Sequence, residues 1–322
     1  MADILLGLDG TGVAAEYHAR YASLTKGFRL QSVNSRERKR AVDFALSHGI
    51  PKVFDDIEYL FEGSDIDFLV VANETSFHFR TAQDAFERGL GVIVETPCTL
   101  TLREAKALVE TAEEEGAYLF VANPMLSMPV VRFLKELLQS GALGEIHRVS
   151  LSLSLGVCQR NPGYQNWRLD PALSGGPLYT EGAMVLEVLS ALFGILRLKE
   201  GEETGKAWTL LLQSGDTQID LHLSSEDQKF LQFTILGEFG EVKTENNTLL
   251  SWPSDLALPS FPDGFKREEK TLFSPYDYLG ETYREIRRSV ESGEELEESF
   301  QWILQTAFLL DVFKTIRIVK ES

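Results

Sequence analysis

An apolar run broken by a glycine turn, Ile4-Leu5-Leu6-Gly7-Leu8-Asp9-Gly10-Thr11-Gly12-Val13-Ala14-Ala15, constrains the fold more than any other segment of this chain. A buried strand that turns on glycine directly into a helix fits the opening of a dinucleotide-binding βαβ unit, and an ordinary strand-turn-helix is the alternative reading of the segment taken alone. Gly10 makes the tight turn, Gly12 lets backbone approach a pyrophosphate, and Ala15 keeps helix and strand close. Gly10-Thr11-Gly12-Val13 would present backbone N–H groups and a helix dipole to the negative charge. Asp9 is out of character, because an unpartnered carboxylate is costly to bury at a strand end.

A second strand, Gln31-Ser32-Val33-Asn34, ends roughly 20 residues downstream, where an acidic residue would bond the ribose of NAD. Here the strand runs into Ser35-Arg36-Glu37-Arg38-Lys39-Arg40. A hydroxyl followed by cations suits a 2′-phosphate, so the expectation is NADP(H) in preference to NAD(H), held by Ser35, Arg36 and Arg40. The same cations also fit a solvated first helical turn.

Short apolar runs at 4–9, 29–34, 67–72, 91–95 and 117–121 alternate with helical patterns at 14–25, 38–48, 57–62, 77–88 and 102–115. Repeated βα units imply a doubly wound parallel sheet. After about residue 122 the pattern changes to a helix at 128–140 and strands with alternating polar and apolar positions at 145–155, 207–213, 217–223 and 229–236. A shorter pair follows around 241–244 and 248–251, and helices near 276–291 and 297–316 close the chain. The fold expected is α/β, with an N-terminal Rossmann domain over 1–122. A C-terminal α/β domain over 123–322 would carry an open, mainly antiparallel sheet for substrate binding and homo-oligomer contacts.

At 322 residues the chain can bury two cores, and its −18 formal charge argues against nucleic acid or an anionic membrane as partner. Cys98 and Cys158 are too few for a disulfide framework, and no run approaches membrane length, so a cytoplasmic protein is expected. Scattered histidines give no metal-ligand spacing.

The chain resembles the glucose-fructose oxidoreductase/inositol dehydrogenase (Gfo/Idh/MocA) family. The resemblance rests on the glycine turn followed by His18, on Ser35-Arg36, and on Ile66–Ala72 leading to His78. It continues through Val92-Ile93-Val94-Glu95-Thr96-Pro97, Ser140–Ile146, and Trp167-Arg168-Leu169-Asp170-Pro171 before Ser174-Gly175-Gly176. It implies a nicotinamide at a cleft between the two domains. It also implies a place near the cofactor for Ala72, Asn73, His78, Glu95, Thr96, Trp167 and Arg168.

The family's usual chemistry uses a lysine between that glutamate and proline, and an aspartate and histidine four residues apart. This chain has Thr96, Thr180 and Met184 there, none of which moves a proton near neutral pH. A sugar or polyol dehydrogenase mechanism is therefore not expected. Biliverdin and imine reductases in the family manage without the lysine. The leading expectation is thus an NADPH-dependent reductase of an activated C=N or conjugated small-molecule substrate, with Thr96, Tyr179 and Glu181 as candidate catalytic groups and Tyr164 and Arg168 as helpers. The alternative is a non-catalytic NADP(H)-binding sensor acting through a protein partner. A further reading, motivated by Asp9 and Asn73-Glu74, has the nucleotide site itself decayed.

Overall fold

The computed structural model describes residues 2–154, 167, 170–176, 178–204, 207–224, 229–253, 259–267, 269, 271, 275–293 and 297–313, without the side chains of 178, 181 and 297–299. These residues form two compact units. The first joins Met1–Pro124 with Ala172–Gly175 and Tyr276–Ala307; the second joins Met125–Pro171 with Gly176–Pro275 and the chain from Phe308 on.

The first unit is a six-stranded, all-parallel sheet of β1 (Ile4–Asp9), β2 (Phe28–Asn34), β3 (Lys52–Phe54), β4 (Phe68–Val71), β5 (Gly91–Glu95) and β6 (Leu119–Ala122). Its order is β3-β2-β1-β4-β5-β6. The strand order reverses between β1 and β4, the place where an open α/β sheet binds its ligand. Five helices follow the strands: α1 (Val13–Leu24), α2 (Arg38–His48), α3 (Ile57–Gly63), α4 (Thr75–Phe86) and α5 (Leu102–Glu115). A parallel sheet needs both faces covered, and it is. Leu6, Leu8 and Val70 face Ala15 and Ala19 of α1 and Phe44 of α2, while Leu69, Val71 and Val94 face Leu60, Phe86 and Leu108 on the other side.

The core is completed from far along the chain. Leu279, Tyr283 and Ile286 of α9 (Leu279–Ser292) enter the α1 side, and Ile303 and Ala307 of α10 (Glu297–Phe313) enter the α5 side. Residues 276–307, expected with the C-terminal domain, thus belong to the first unit. The cause is apolar: Tyr283 is 1% exposed and Leu279 fully buried, at the 3.6-residue spacing that puts both on one face.

The second unit holds α6 (Pro129–Gln139), β7 (Ile146–Ser154), a π-helical turn (Leu178–Gly182) and α8 (Ala183–Phe193), whereas the short α7 (Pro171–Ser174) lies in the first from Ala172 on. The strands β8 (Arg197–Thr204), β9 (Ala207–Ser214), β10 (Thr217–Ser224), β11 (Phe230–Gly237), β12 (Gly240–Glu245), β13 (Thr248–Ser251) and β14 (Lys266–Arg267) follow. With β7 they make an eight-stranded sheet ordered β14-β13-β12-β11-β7-β10-β9-β8, antiparallel except for β7–β10 and β13–β14. Alternation sends Val149, Leu151, Leu153, Ile219 and Leu221 inward, and leaves Arg148, Ser150 and His222 exposed. Arg148 pairs with Asp220 across the exposed face at 2.6 Å. No helix among the described residues is long and apolar enough to cross a membrane.

Candidate cofactor site

The glycine turn sits where β1 meets α1. Gly10 has φ +126°, and a Cβ there would lie 2.4 Å from the carbonyl oxygen of Ala72. Only glycine fits both that backbone and that approach. Two residues on, Gly12 is the N-cap of α1 with nothing within 4 Å of where its Cβ would be. Helices α3 and α5 are capped by Asp56 and Thr101 side chains, but no side chain caps α1. Its first N–H groups therefore face open ground at the β1/β4 reversal. This is a cradle that a Cβ would fill, and a dinucleotide pyrophosphate fits it.

Around the turn the structure gathers Thr11, Val13, Ser35, Arg36, Ala72 and Asn73 at the ends of β1, β2 and β4. Thr11 Oγ1 donates to Ser35 Oγ at 3.2 Å. Arg36 pairs with Glu74, the N-cap of α4, and lies 4.8 Å from the ring centre of Phe77. Arg40, by contrast, turns to Glu37 at 3.2 Å, and Arg38 to Asp55 at 3.3 Å.

Asp9 is 6% exposed, and its misfit is resolved by neighbours. Asn34 Nδ2 donates to one carboxyl oxygen at 2.8 Å and Asn73 Nδ2 to the other at 2.5 Å. Burial nevertheless pushes the carboxyl up to about 6, with Glu74 adding to the rise and the two amides and Arg36 opposing it. The unfolded chain ionises near 3.8, so the fold loses stability as pH rises from there through about 6, and the deficit then stays constant. Asp9→Asn is expected to stabilise the protein by about 1–3 kcal/mol at pH 8 and by little near pH 3.5. Urea unfolding of both proteins at the two pH values checks this; a gain that is the same at both would refute it.

At the end of β5, Glu95 is buried and doubly bonded. His18 Nε2 lies 2.7 Å from Oε1, and Tyr276 Oη donates to Oε2 at 3.0 Å. The carboxylate only accepts, so Nε2 carries the proton, and Nδ1 accepts from Tyr283 Oη at 2.8 Å. Burial raises Tyr283 well above the ordinary tyrosine range, which keeps it a donor. Glu95 is thereby spent on support. Tyr276 and Tyr283, absent from the sequence expectations, carry that support from 181 and 265 residues away, with no local pattern to flag them.

His78 is buried between two carbonyls, Pro97 O at 3.0 Å from Nδ1 and Asn73 O at 3.3 Å from Nε2. Burial lowers its pKa, so it is neutral, and its single proton serves the shorter contact. It ties the first turn of α4 to the Thr96-Pro97 turn. Thr96 is itself buried beside that proline.

The remaining candidates lie in the second unit. Tyr179 is 3% exposed and donates its hydroxyl to Leu310 O at 2.9 Å. Thr180 and Met184 are buried, and Trp167 is half-buried with its carbonyl accepting from Asp170 N at 3.0 Å. Tyr164, Arg168 and the Glu181 side chain lie outside the described residues. Among the described residues no cluster of three or more His, Cys, Asp or Glu is placed to hold a metal.

Residues 4–123 match the family described as "Oxidoreductase family, NAD-binding Rossmann fold", and residues 131–242 match "GFO/IDH/MocA C-terminal domain". An oxidoreductase named P35 from Formosa agariphila is 29% identical over 204 residues, 61% of this chain and 62% of that protein. The chain spans about half to three fifths of the length of the first curated relatives it matches. A levoglucosan dehydrogenase solved with NADH and levoglucosan superposes with a TM-score of 0.84 at 15% identity, covering 96% of this chain and 95% of that one. A 3-ketoreductase from Actinomadura kijaniata, solved with NADP and TDP-benzene, gives 0.82 at 20% identity over 99% and 100% of the two chains. At such identities the likeness is one of fold.

Proposed function

Because the chain belongs to the GFO/IDH/MocA oxidoreductase family, we propose that it is an NAD(P)(H)-dependent reductase that takes NADP(H) ahead of NAD(H) and acts on an activated C=N or conjugated small molecule. The cofactor half is carried by one observation, the uncapped start of α1 behind Gly10 and Gly12 at the β1/β4 reversal. The backbone N–H groups there bind the pyrophosphate, and Ser35 and Arg36 at the end of β2 receive the adenosine half. Bound nicotinamide supplies the hydride. The solved neighbours named above carry NADH in one case and NADP in the other, so both forms suit the fold. The relatives are named for oxidoreductase and dehydrogenase activity, and the non-catalytic alternative gains no support from them.

Arg36→Ala is expected to weaken NADPH binding about tenfold or more while sparing NADH, because a 2′-phosphate loses its charge-assisted partner and a 2′-hydroxyl does not. Titration by nicotinamide fluorescence checks it. Equal weakening of both forms would refute the preference.

The substrate half follows from what is missing. Thr96, Thr180 and Met184 offer no group that transfers a proton near pH 7, and Tyr179 spends its hydroxyl proton on Leu310 O. A ketone or alcohol needs such a group where charge develops on oxygen. An imine, or a conjugated system with a basic nitrogen, takes the hydride and accepts a proton on its own nitrogen. Turnover with NADPH across imine, bilin, simple ketone and polyol panels tests this; polyol or ketone turnover exceeding imine turnover would overturn it.

A further inference from the structure

The ends of β2 and β4 flank β1 in the sheet, and one ion pair joins them across the glycine turn. Arg36, two residues past β2, reaches Glu74, three residues past β4. The guanidinium also stacks on Phe77, one turn into α4. It is two-thirds exposed, whereas Glu74 is only about one-fifth exposed, so the carboxylate is the fixed member of the pair and the arginine the mobile one. Of the other two arginines in the basic stretch, Arg38 pairs with Asp55 and Arg40 with Glu37. Arg36 is thus the cation that spans from the end of β2 to the β4 side, and Glu74 offsets its charge.

We propose that Glu74 is a specificity-determining residue of the cofactor site, holding Arg36 in the free protein and setting how far the site prefers a 2′-phosphate over a 2′-hydroxyl. The proposal rests on the dinucleotide reading above. In a βαβ unit the group that recognises the adenosine ribose stands at the end of β2 and is commonly acidic. Here that position holds Ser35, and Glu74 brings a carboxylate to Arg36 from the β4 side. A ribose with two free hydroxyls can donate to Glu74 while Arg36 stays where it is. A 2′-phosphate must take Arg36 away from Glu74 and then tolerate that carboxylate nearby. Each form therefore uses one member of the pair, and the balance between them is the selectivity.

The direct test measures dissociation constants for NADPH and NADH on the full-length chain and on Glu74→Gln, Glu74→Ala and Arg36→Ala. Removing one negative charge beside a phosphate is expected to raise the NADPH:NADH affinity ratio about tenfold in both Glu74 variants. Most of that gain should vanish at high ionic strength. In Arg36→Ala background the Glu74→Gln substitution should shift the ratio less, because the two side chains act on one another. A ratio unchanged within about twofold, with both forms still bound, would overturn the role of Glu74 and leave the dinucleotide reading standing. Equal loss of both forms in the two Glu74 variants would assign Glu74 to holding the start of α4 and also overturn it. Failure of the unsubstituted protein to bind any nicotinamide form would overturn the dinucleotide reading, and the selectivity role with it.

Discussion

Gly10→Ala is expected to abolish dinucleotide binding and to destabilise the first unit by about 3 kcal/mol or more. Two costs add. The backbone at +126° is one that an alanine rarely adopts, and the new methyl would sit 2.4 Å from Ala72 O, a backbone atom that cannot rotate aside. Relief requires β1 and β4 to separate at their ends, where the cradle is built, so binding and stability fall together. Gly12→Ala is the informative control. Its Cβ meets nothing within 4 Å in the protein and φ is −85°, so folding should be spared. A methyl standing where the pyrophosphate approaches should still weaken binding. Paired measurements of urea midpoint and nicotinamide affinity separate the two effects. A Gly12 variant with undiminished affinity would count against the proposed position of the pyrophosphate.

His18→Ala should be almost as damaging by a different route. It strips Glu95 of its shortest bond and leaves Tyr283 Oη without its acceptor, both in surroundings that water does not reach. Leaving buried groups one hydrogen-bond partner short costs about 1–3 kcal/mol each, more where the group is charged. Glu95→Gln in the same background removes the stranded charge and should return a good part of the loss. That recovery is a readout that a simple cavity would not show. If His18→Ala costs less than about 1 kcal/mol, Glu95 has another source of compensation.

Much of the fold was legible because its strands and helices announce themselves locally. The helices at 38–48 and 102–115 match α2 and α5 to the residue, and the apolar runs at 4–9 and 91–95 match β1 and β5. Three strands were not expected, and each has a physical reason. β3 is three residues and β14 only two, too short for a period to show. β8, Arg-Leu-Lys-Glu-Gly-Glu-Glu-Thr, is an edge strand whose charges guard against further pairing and hide its alternation. At the cofactor site the glycines carried their meaning in sequence. The companions of Asp9 and Arg36 did not, since Asn34, Asn73 and Glu74 lie 25 to 64 residues away and meet only at the sheet's edge. Arg40 looked equivalent to Arg36 along the chain, yet it turns to Glu37.

The return of α9 to the first unit bears on how the protein is made. Ribosomes release a chain from its first residue onward, and a domain commonly condenses once its last strand has emerged. Here β6 ends at Ala122, but the sheet's α1 side still lacks Leu279, Tyr283 and Ile286, and the buried His18 lacks one of its two partners. Arg287 then fastens α9 to the carbonyls of Gly27 and Ala2, so the residues that lead into β1 and β2 are secured by a segment far along the chain. The nucleotide-binding half must therefore wait, with an apolar flank uncovered, while the whole second unit is synthesised. Its final closure comes after the strands of the second unit have been made.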